Sequence, residues 1–203
     1  MTAPTALRLD LQLVADQVFP GSRVLDLGCG SGSLLAHLMA TKRCTGLGVE
    51  INPDSVLGAI KRGVPVLDRR VEDALVDIGD DSYDTVVLSR TLQSMLEPEF
   101  VLSQMARVAE RLIVSVPNFG WYRNRLRLLG GRMPISKEIP YVWYNSPNLR
   151  FTTLADLEDL FDKLHLIIDR RFTYTQQGRR LRMYGQSANL MASAAVYVLR
   201  PAR

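Results

Sequence analysis

The residues best suited to chemistry lie in a short glycine-rich segment near the start of the chain. An apolar run, Arg23–Leu27, is followed at once by Gly28, Gly30 and Gly32. Such a run predicts a buried parallel strand that ends in a tight turn and leads into a helix. Glycines in the turn let a ligand approach the bare backbone, and ligands of open α/β sheets bind at this end of the strands. The segment therefore predicts a ligand-binding loop.

The identity of the neighbouring residues narrows the choice of ligand. A dinucleotide fingerprint requires its third glycine at position 33, which is Ser33, and it places a pyrophosphate at the helix start. Asp26 stands just before the first glycine, where a carboxylate repels a pyrophosphate but suits an ammonium group. A nicotinamide enzyme is therefore disfavoured.

A second acid follows at the distance expected for a nucleoside ligand. Glu50 ends the predicted strand Gly46–Glu50, about 20 residues beyond the glycine loop, where an acid accepts hydrogen bonds from ribose hydroxyls. The alternative for Glu50 on its own is a solvated acid at a strand end. The joint pattern of strand, Asp26, glycines, helix, strand and Glu50 is specific.

The elements that position these residues alternate as strands and helices. Alternation of this kind implies parallel strands joined by right-handed crossovers, a Rossmann-like doubly wound α/β sheet. We predict one domain over residues 1–203. The further predicted strands are Val64–Leu67, Thr85–Leu88, Leu112–Val116, His165–Tyr174 and Ala194–Leu199. The predicted helices are one carrying Leu7, Leu11, Val14 and Val18, then Ser33–Ala40, one from Asn52-Pro53 to Gly63, one from Pro98 to Val108, and one begun by Thr153 with Asp156 as its capping partner.

Residues 119–152 interrupt this rhythm. The segment holds three prolines, a glycine pair, both tryptophans and three tyrosines. It is too aromatic for a linker and too irregular for a helix–strand unit, so we predict an inserted binding element. Its aromatic residues could close over a substrate, insert into a partner or pack a small core of their own.

Composition excludes several classes of protein. The chain is 47% hydrophobic and 23% charged, which is ordinary for a globular protein. No apolar run is long enough for a membrane helix, and Met1–Leu7 shows no secretory signal. The two cysteines form neither a disulfide framework nor a zinc pattern, and no metal site is indicated. A reducing cytoplasm is the expected compartment.

The net charge of +4 is unevenly distributed. Seven acids lie between Asp68 and Asp84, whereas seven arginines and no acid follow Asp169. The basic end is either a solvated face or a surface for an acidic partner or phosphate. Because no RNA platform or recognition helix is visible, nucleic acid is not expected.

Residues 23–116 resemble class I S-adenosylmethionine-dependent methyltransferases. The resemblance implies a sheet of seven strands, mostly parallel with the last antiparallel. It also implies that the glycine loop cradles the methionine part of S-adenosylmethionine or S-adenosylhomocysteine, that Asp26 supports its polar end and that Glu50 holds the ribose. The full predicted cofactor site is Asp26, Gly28, Cys29, Gly30, Gly32, Glu50, Ile51, Glu72 and Ser89.

Two departures from that family pattern stand out. The acid that usually contacts adenine would fall at about Arg70, so Glu72 or Asp73 would have to replace it. The loop Ser89–Gln93 contains no histidine that could act as a general base. No catalytic residue is therefore assigned, and methyl transfer is not assured.

A narrower resemblance extends over nearly the whole chain. The segments that carry it are Val87–Gln93, Ser115–Gly120, Gly130–Lys137, Pro140–Asn148 and Ala188–Leu190. They resemble MetW-type methionine biosynthesis proteins, which implies an accessory or regulatory partner of a homoserine O-acyltransferase of the MetX type. That function and an active small-molecule methyltransferase both remain open, as does homo-oligomerisation.

Overall fold

The computed structural model describes residues 7–202. Residues 1–6 and Arg203 lie outside the described residues. Most of the segment Met1–Leu7, in which no secretory signal is predicted, and the last of the seven arginines therefore lie outside them too. The strands are β1 (Arg23–Leu27), β2 (Thr45–Glu50), β3 (Val66–Asp68), β4 (Tyr83–Ser89), β5 (Ala109–Pro117), β6 (Leu166–Tyr174), β7 (Arg180–Leu181) and β8 (Ala194–Pro201). The α-helices are α1 (Leu9–Gln17), α2 (Ser33–Lys42), α3 (Pro53–Lys61), α4 (Val71–Asp77), α5 (Pro98–Val108), α6 (Tyr122–Leu129), α7 (Leu154–Lys163) and α8 (Gly185–Met191).

All eight strands form one sheet in the order β3-β2-β1-β4-β5-β8-β6-β7. The first five strands are mutually parallel, and β8 pairs antiparallel with both β5 and β6. The predicted doubly wound sheet with an antiparallel last strand is thus confirmed. A two-residue strand, β7, adds an eighth member at the edge beside β6. The one-domain organisation stays a prediction.

Helices cover both faces of the sheet. Side chains of α1, α2 and α3 form one apolar cluster, and side chains of α4, α5 and α7 form the other. The largest fully buried side chains, Tyr197 and Phe161, meet edge to face at 5.2 Å between ring centroids. Among residues 7–202, no helix is long and apolar enough to cross a membrane.

Local sequence explains where the helices begin. The Asn52 side chain accepts from the Ser55 amide with Pro53 at the first helical position. Thr153 and Asp156 form the reciprocal capping box that their spacing predicts. Both helix starts are confirmed.

Three helices, α4, α6 and α8, were not expected from the sequence. Residues 119–152, predicted to be too irregular for a helix–strand unit, contain one short helix, Tyr122–Leu129. That helix carries Tyr122, Leu126 and Leu129 at helical spacing, but it buries only Asn124.

The order of the strands determines where the candidate ligand site lies. The order reverses where β1 lies between β2 and β4, so the loops after these strands meet at one edge of the sheet. Ligands of open α/β sheets bind at such a switch point.

Candidate functional site

The loop after β1 is held in a shape that only glycine adopts easily. Gly28, Gly30 and Gly32 all have positive φ, between 55° and 72°. The amides of Gly28 and Cys29 both donate to the Val49 carbonyl, at 2.8 and 3.1 Å, which fixes the loop against β2.

The three glycines have different surroundings. A Cβ at Gly30 would meet open space, so the loop is bare at that point. A Cβ at Gly28 would lie 2.5 Å from the Thr91 side chain, and one at Gly32 would press on Ala59 and Val64. Gly30 therefore leaves room for a ligand, whereas Gly32 serves the packing of α2 on α3.

Asp26 is a buried acid without a partner. Its side chain lies on β1 with only 3% exposure, and it borders the cleft over the glycine loop. Within residues 7–202, no hydrogen bond or ion pair engages its carboxyl group. Burial, reinforced by the nearby charge of Glu50, raises the pKa of Asp26 to about 7. A cationic ligand group beside Asp26 would stabilise the ionised carboxylate and so offset the free-energy cost of burying it.

Glu50 clamps the glycine loop. One carboxylate oxygen accepts from the Gly30 amide at 2.8 Å, and the other accepts from the Ile51 and Asn52 amides at 2.9 Å. A carboxylate offers about four acceptor positions, so one remains for a ligand hydroxyl. The sequence predicted a ribose ligand here but not the clamp, because backbone amides carry no side-chain signal.

Cys29 packs into the sheet. Its thiol lies against β2 at Gly48, where an added Cβ would come within 2.4 Å of the sulfur. Burial, with smaller contributions from Asp26 and Glu50, raises the pKa of Cys29 to about 12. A thiol with so high a pKa is a poor nucleophile.

The cleft has two halves that meet at Gly28, Arg90 and Thr91. The first half, about 390 Å³, lies over Asp26, Gly30 and Ser89. The second, about 310 Å³, lies beside Glu50, Ile51 and Glu72.

Eight of the nine predicted site residues therefore border one continuous cleft, and Gly32 does not. Their role in cofactor binding stays a prediction. Together the two halves reach the size of ordinary small-molecule sites.

Glu72, rather than Asp73, faces the second half of the cleft. Its carboxylate accepts from the Leu96 amide at 3.0 Å and lies 3.7 Å from the Arg70 guanidinium. Ile51 is 57% exposed at the same place and offers an apolar surface.

Sequence reasoning missed an ion cluster at the mouth of the cleft. Arg90, which has a φ of 55°, directs its guanidinium to Asp10 at 2.8 Å and to Glu138. Asp10 and Glu138 are both buried, and Arg8 also pairs with Asp10. The cluster joins α1, the loop after β4 and the insertion. The wide separation of these residues in sequence left no local signal.

The aromatic residues of the insertion have divided roles. Trp121 is buried, whereas Trp143 and Tyr144 are 72% and 73% exposed and stack edge to face. Tyr141 borders the cleft. The insertion therefore contributes both to the core and to a surface.

Comparisons with known proteins agree with this architecture. The family model described as "Methionine biosynthesis protein MetW" matches residues 8–199. The "Bifunctional methionine biosynthesis protein MetXA/MetW" of Rhodopirellula baltica is 35% identical over 201 residues, which are 94% of this chain but only 32% of that protein. The chain thus spans about a third of that relative.

Similarity to solved structures establishes the fold of this chain and not its function. An S-adenosylmethionine-dependent methyltransferase from Archaeoglobus fulgidus has a TM-score of 0.67 at 15% identity, with 94% of both chains covered. The 4+2 cyclase SpnF has a TM-score of 0.68 at 18% identity, with 94% of this chain and 80% of that chain covered. Because proteins named for different reactions share the fold, it does not assign a reaction. The family match over residues 8–199 does assign the lineage, and the chain belongs to the MetW family of methionine biosynthesis proteins, with the fold of S-adenosylmethionine-dependent methyltransferases.

Proposed function

We propose that the cleft binds S-adenosylmethionine or S-adenosylhomocysteine, and that the chain acts as an accessory or regulatory partner of a homoserine O-acyltransferase of the MetX type. The observation that carries the first part is the bare backbone at Gly30 between an unpartnered buried acid and a clamped acid. These residues fit a ligand that carries an ammonium group, a ribose and a flat base.

Each part of that ligand has a suitable residue in this chain. Asp26 would face the ammonium group, Gly30 would border the methionine chain, and the remaining acceptor position of Glu50 would take a ribose hydroxyl. Ile51 would cover one face of the base, with Glu72 accepting from its amino group. The bound cofactor would supply either a transferable methyl group or, in an accessory protein, only occupancy of the cleft.

The partner is proposed from the relative in Rhodopirellula baltica. Its name joins MetXA and MetW in one bifunctional protein, of which this chain covers 32%. Two activities on one chain are always present together, and separate chains can achieve the same by forming a complex. The described cleft residues also include no histidine, which is consistent with an accessory function.

The partnership is tested by measuring homoserine acylation. The acyltransferase is assayed alone and with increasing amounts of this chain, while complex formation is followed by size-exclusion chromatography. We expect a complex and a saturable change in the acylation rate. Absence of both would refute the proposed partnership.

Methyl transfer to a small acceptor is the second candidate, and one observation favours it. An apolar cavity of about 80 Å³, bordered by Leu92, Phe119 and Phe151, meets the cleft at Gln93 and Asn148. Such a cavity could hold an acceptor close to a methyl donor. Turnover of S-adenosylmethionine by the isolated chain with a cell-extract acceptor, without any effect on acylation, would make this the function.

A further inference from the structure

The insertion carries an unusual concentration of exposed apolar side chains. Of the 23 large hydrophobic side chains exposed among the described residues, eleven lie within residues 119–152. Trp143 and Tyr144 lie in the 3-10 turn Trp143–Asn145 and are the most exposed aromatic pair of the insertion. Their rings contact each other, and adjacent exposed aromatic side chains of this kind are typical of interaction sites, where Trp and Tyr are often decisive.

The same segment is strongly basic. Residues 119–152 contain six basic residues, all exposed, and the one acid, Glu138, is buried against Arg90. A partner that covers this segment would offer an apolar recess for the aromatic pair and acidic side chains for the basic residues. The basic residues are Arg123, Arg125, Arg127, Arg132, Lys137 and Arg150.

The exposed aromatic pair and the cleft are two sides of one short segment. Lys137, Glu138 and Tyr141 border the cleft before the aromatic turn, and Pro147 and Asn148 border it afterwards. Neither Trp143 nor Tyr144 is among the described residues that border either half of the cleft. The segment thus faces the cleft at both ends and solvent at its middle.

Both ends of this segment are fixed to the loop after β4. Glu138 pairs with Arg90, and the amides of Leu149 and Arg150 donate to the Gln93 carbonyl at 2.8 and 3.0 Å. A further residue of the same loop, Thr91, lies against the glycine loop. A continuous path of contacts therefore runs from the cofactor cleft to the aromatic turn.

We propose that residues 137–150 are a two-sided docking segment whose outer side inserts Trp143 and Tyr144 into the homoserine acyltransferase and whose inner side senses occupancy of the cleft by S-adenosylmethionine. This inference rests on the proposed function and adds the surface and the link between its two parts. A ligand in the cleft restrains the segment in its docking shape, so the partner loses less conformational entropy on binding. S-adenosylmethionine therefore tightens the complex.

Thermodynamic linkage makes the coupling measurable from both sides. If S-adenosylmethionine strengthens partner binding by some factor, the partner must strengthen S-adenosylmethionine binding by the same factor. Couplings in proteins are typically about five-fold or more. We expect at least this change in both titrations.

The test compares two double variants by calorimetry with the full acyltransferase and S-adenosylmethionine. Trp143→Ala/Tyr144→Ala should weaken the complex about 30-fold or more, the size expected when hot-spot residues are lost. Leu57→Ala/Ile60→Ala removes exposed apolar side chains of α3 and serves as the matched control, which should bind normally. Both variants should bind S-adenosylmethionine alone with wild-type affinity, which also shows that they fold.

The possible results distinguish failure of the proposed partnership from failure of the docking inference alone. If the wild-type chain forms no complex, the proposed partnership fails and this inference fails with it. If the complex forms but the aromatic variant binds as tightly as the control, or S-adenosylmethionine leaves the affinity unchanged, only this inference is overturned. Dimerisation of the chain through Trp143 and Tyr144, or their binding to phosphatidylserine vesicles instead of the acyltransferase, would assign the surface to another occupant and likewise overturn it.

Discussion

Binding of S-adenosylmethionine should depend steeply on pH because of Asp26. The pKa of this buried carboxyl is about 7 in the free protein, so it is mostly protonated at pH 5.5 and mostly ionised at pH 7.5. An ammonium group beside it stabilises the ionised form and lowers its pKa in the complex. The ligand must therefore displace a proton at low pH, and affinity should rise as the pH increases.

The size of the effect follows from the ionised fraction. A group with a pKa of about 7 is ionised in about 3% of molecules at pH 5.5 and about 75% at pH 7.5. Affinity should therefore increase about 25-fold over this range, provided that the bound carboxyl stays ionised throughout. The range stops short of the pH at which an α-amino group loses its own charge, at about 8.

Calorimetric titration across this pH range is the assay. Asp26→Asn keeps the shape of the side chain and cannot ionise, so its affinity should vary little with pH. Asp54→Asn removes an exposed acid from the first turn of α3 and should retain the wild-type slope. A flat wild-type profile, or an equal slope in Asp26→Asn, would refute the proposed contact between Asp26 and the ammonium group.

The same residue should also affect stability. The folded pKa of Asp26 lies above the ordinary value of 3.8, so its contribution to stability falls as the pH rises from about 4 to 7. Asp26→Asn removes the unfavourable ionisation of the buried carboxyl. The gain in the free energy of unfolding relative to the wild type should therefore be about 3 kcal/mol larger at pH 8 than at pH 5. Urea denaturation at the two pH values checks this, and an equal gain at both would show that burial does not perturb the carboxyl.

Two further predictions concern charged side chains. Arg90→Leu leaves two buried carboxylates short of a partner and should lower the free energy of unfolding by about 3 kcal/mol in urea denaturation. Arg23→Leu, which breaks an exposed ion pair with Asp84, should cost much less, and equal losses in the two variants would contradict a stabilising role for the buried cluster. Removing Arg179, Arg180 and Arg182 together should weaken the acyltransferase complex and flatten its salt dependence while leaving S-adenosylmethionine affinity nearly intact, as measured by titration at several salt concentrations. An unchanged salt slope would exclude this basic segment from the interface.

Local signals in the sequence were sufficient to predict the doubly wound α/β alternation and the glycine loop, whereas the antiparallel last strand was expected from the family resemblance. Strands such as Arg23–Leu27 are short, mostly apolar runs ended by glycine or proline, and helix starts such as Asn52-Pro53 carry their own capping residues. The glycine loop and Glu50 are about 20 residues apart within one β-α-β unit, so parallel pairing brings them together whatever the rest of the chain does.

The missed features depend on contacts between distant segments. Arg90, Asp10 and Glu138 come from three separate parts of the chain, and nothing local indicates that they meet. The contact between Gly28 and Thr91 requires the packing of two loops that only strand order places side by side. The helix α6 was missed although Tyr122, Leu126 and Leu129 recur at helical spacing, because the glycines and prolines that follow within residues 130–147 make the insertion as a whole irregular.

Binding of S-adenosylmethionine or S-adenosylhomocysteine at the glycine loop is tested most directly by calorimetric titration of the wild-type chain and the Gly30→Val variant. The wild-type chain should bind one equivalent of S-adenosylhomocysteine and show no comparable binding of NAD. Gly30→Val should abolish binding, because the added side chain would occupy the open space over the loop and would be strained at a φ of 55°. Two results would contradict the assignment of the glycine loop as the cofactor site. One is wild-type affinity for S-adenosylhomocysteine in a folded Gly30→Val variant, and the other is preferential binding of NAD by the wild-type chain.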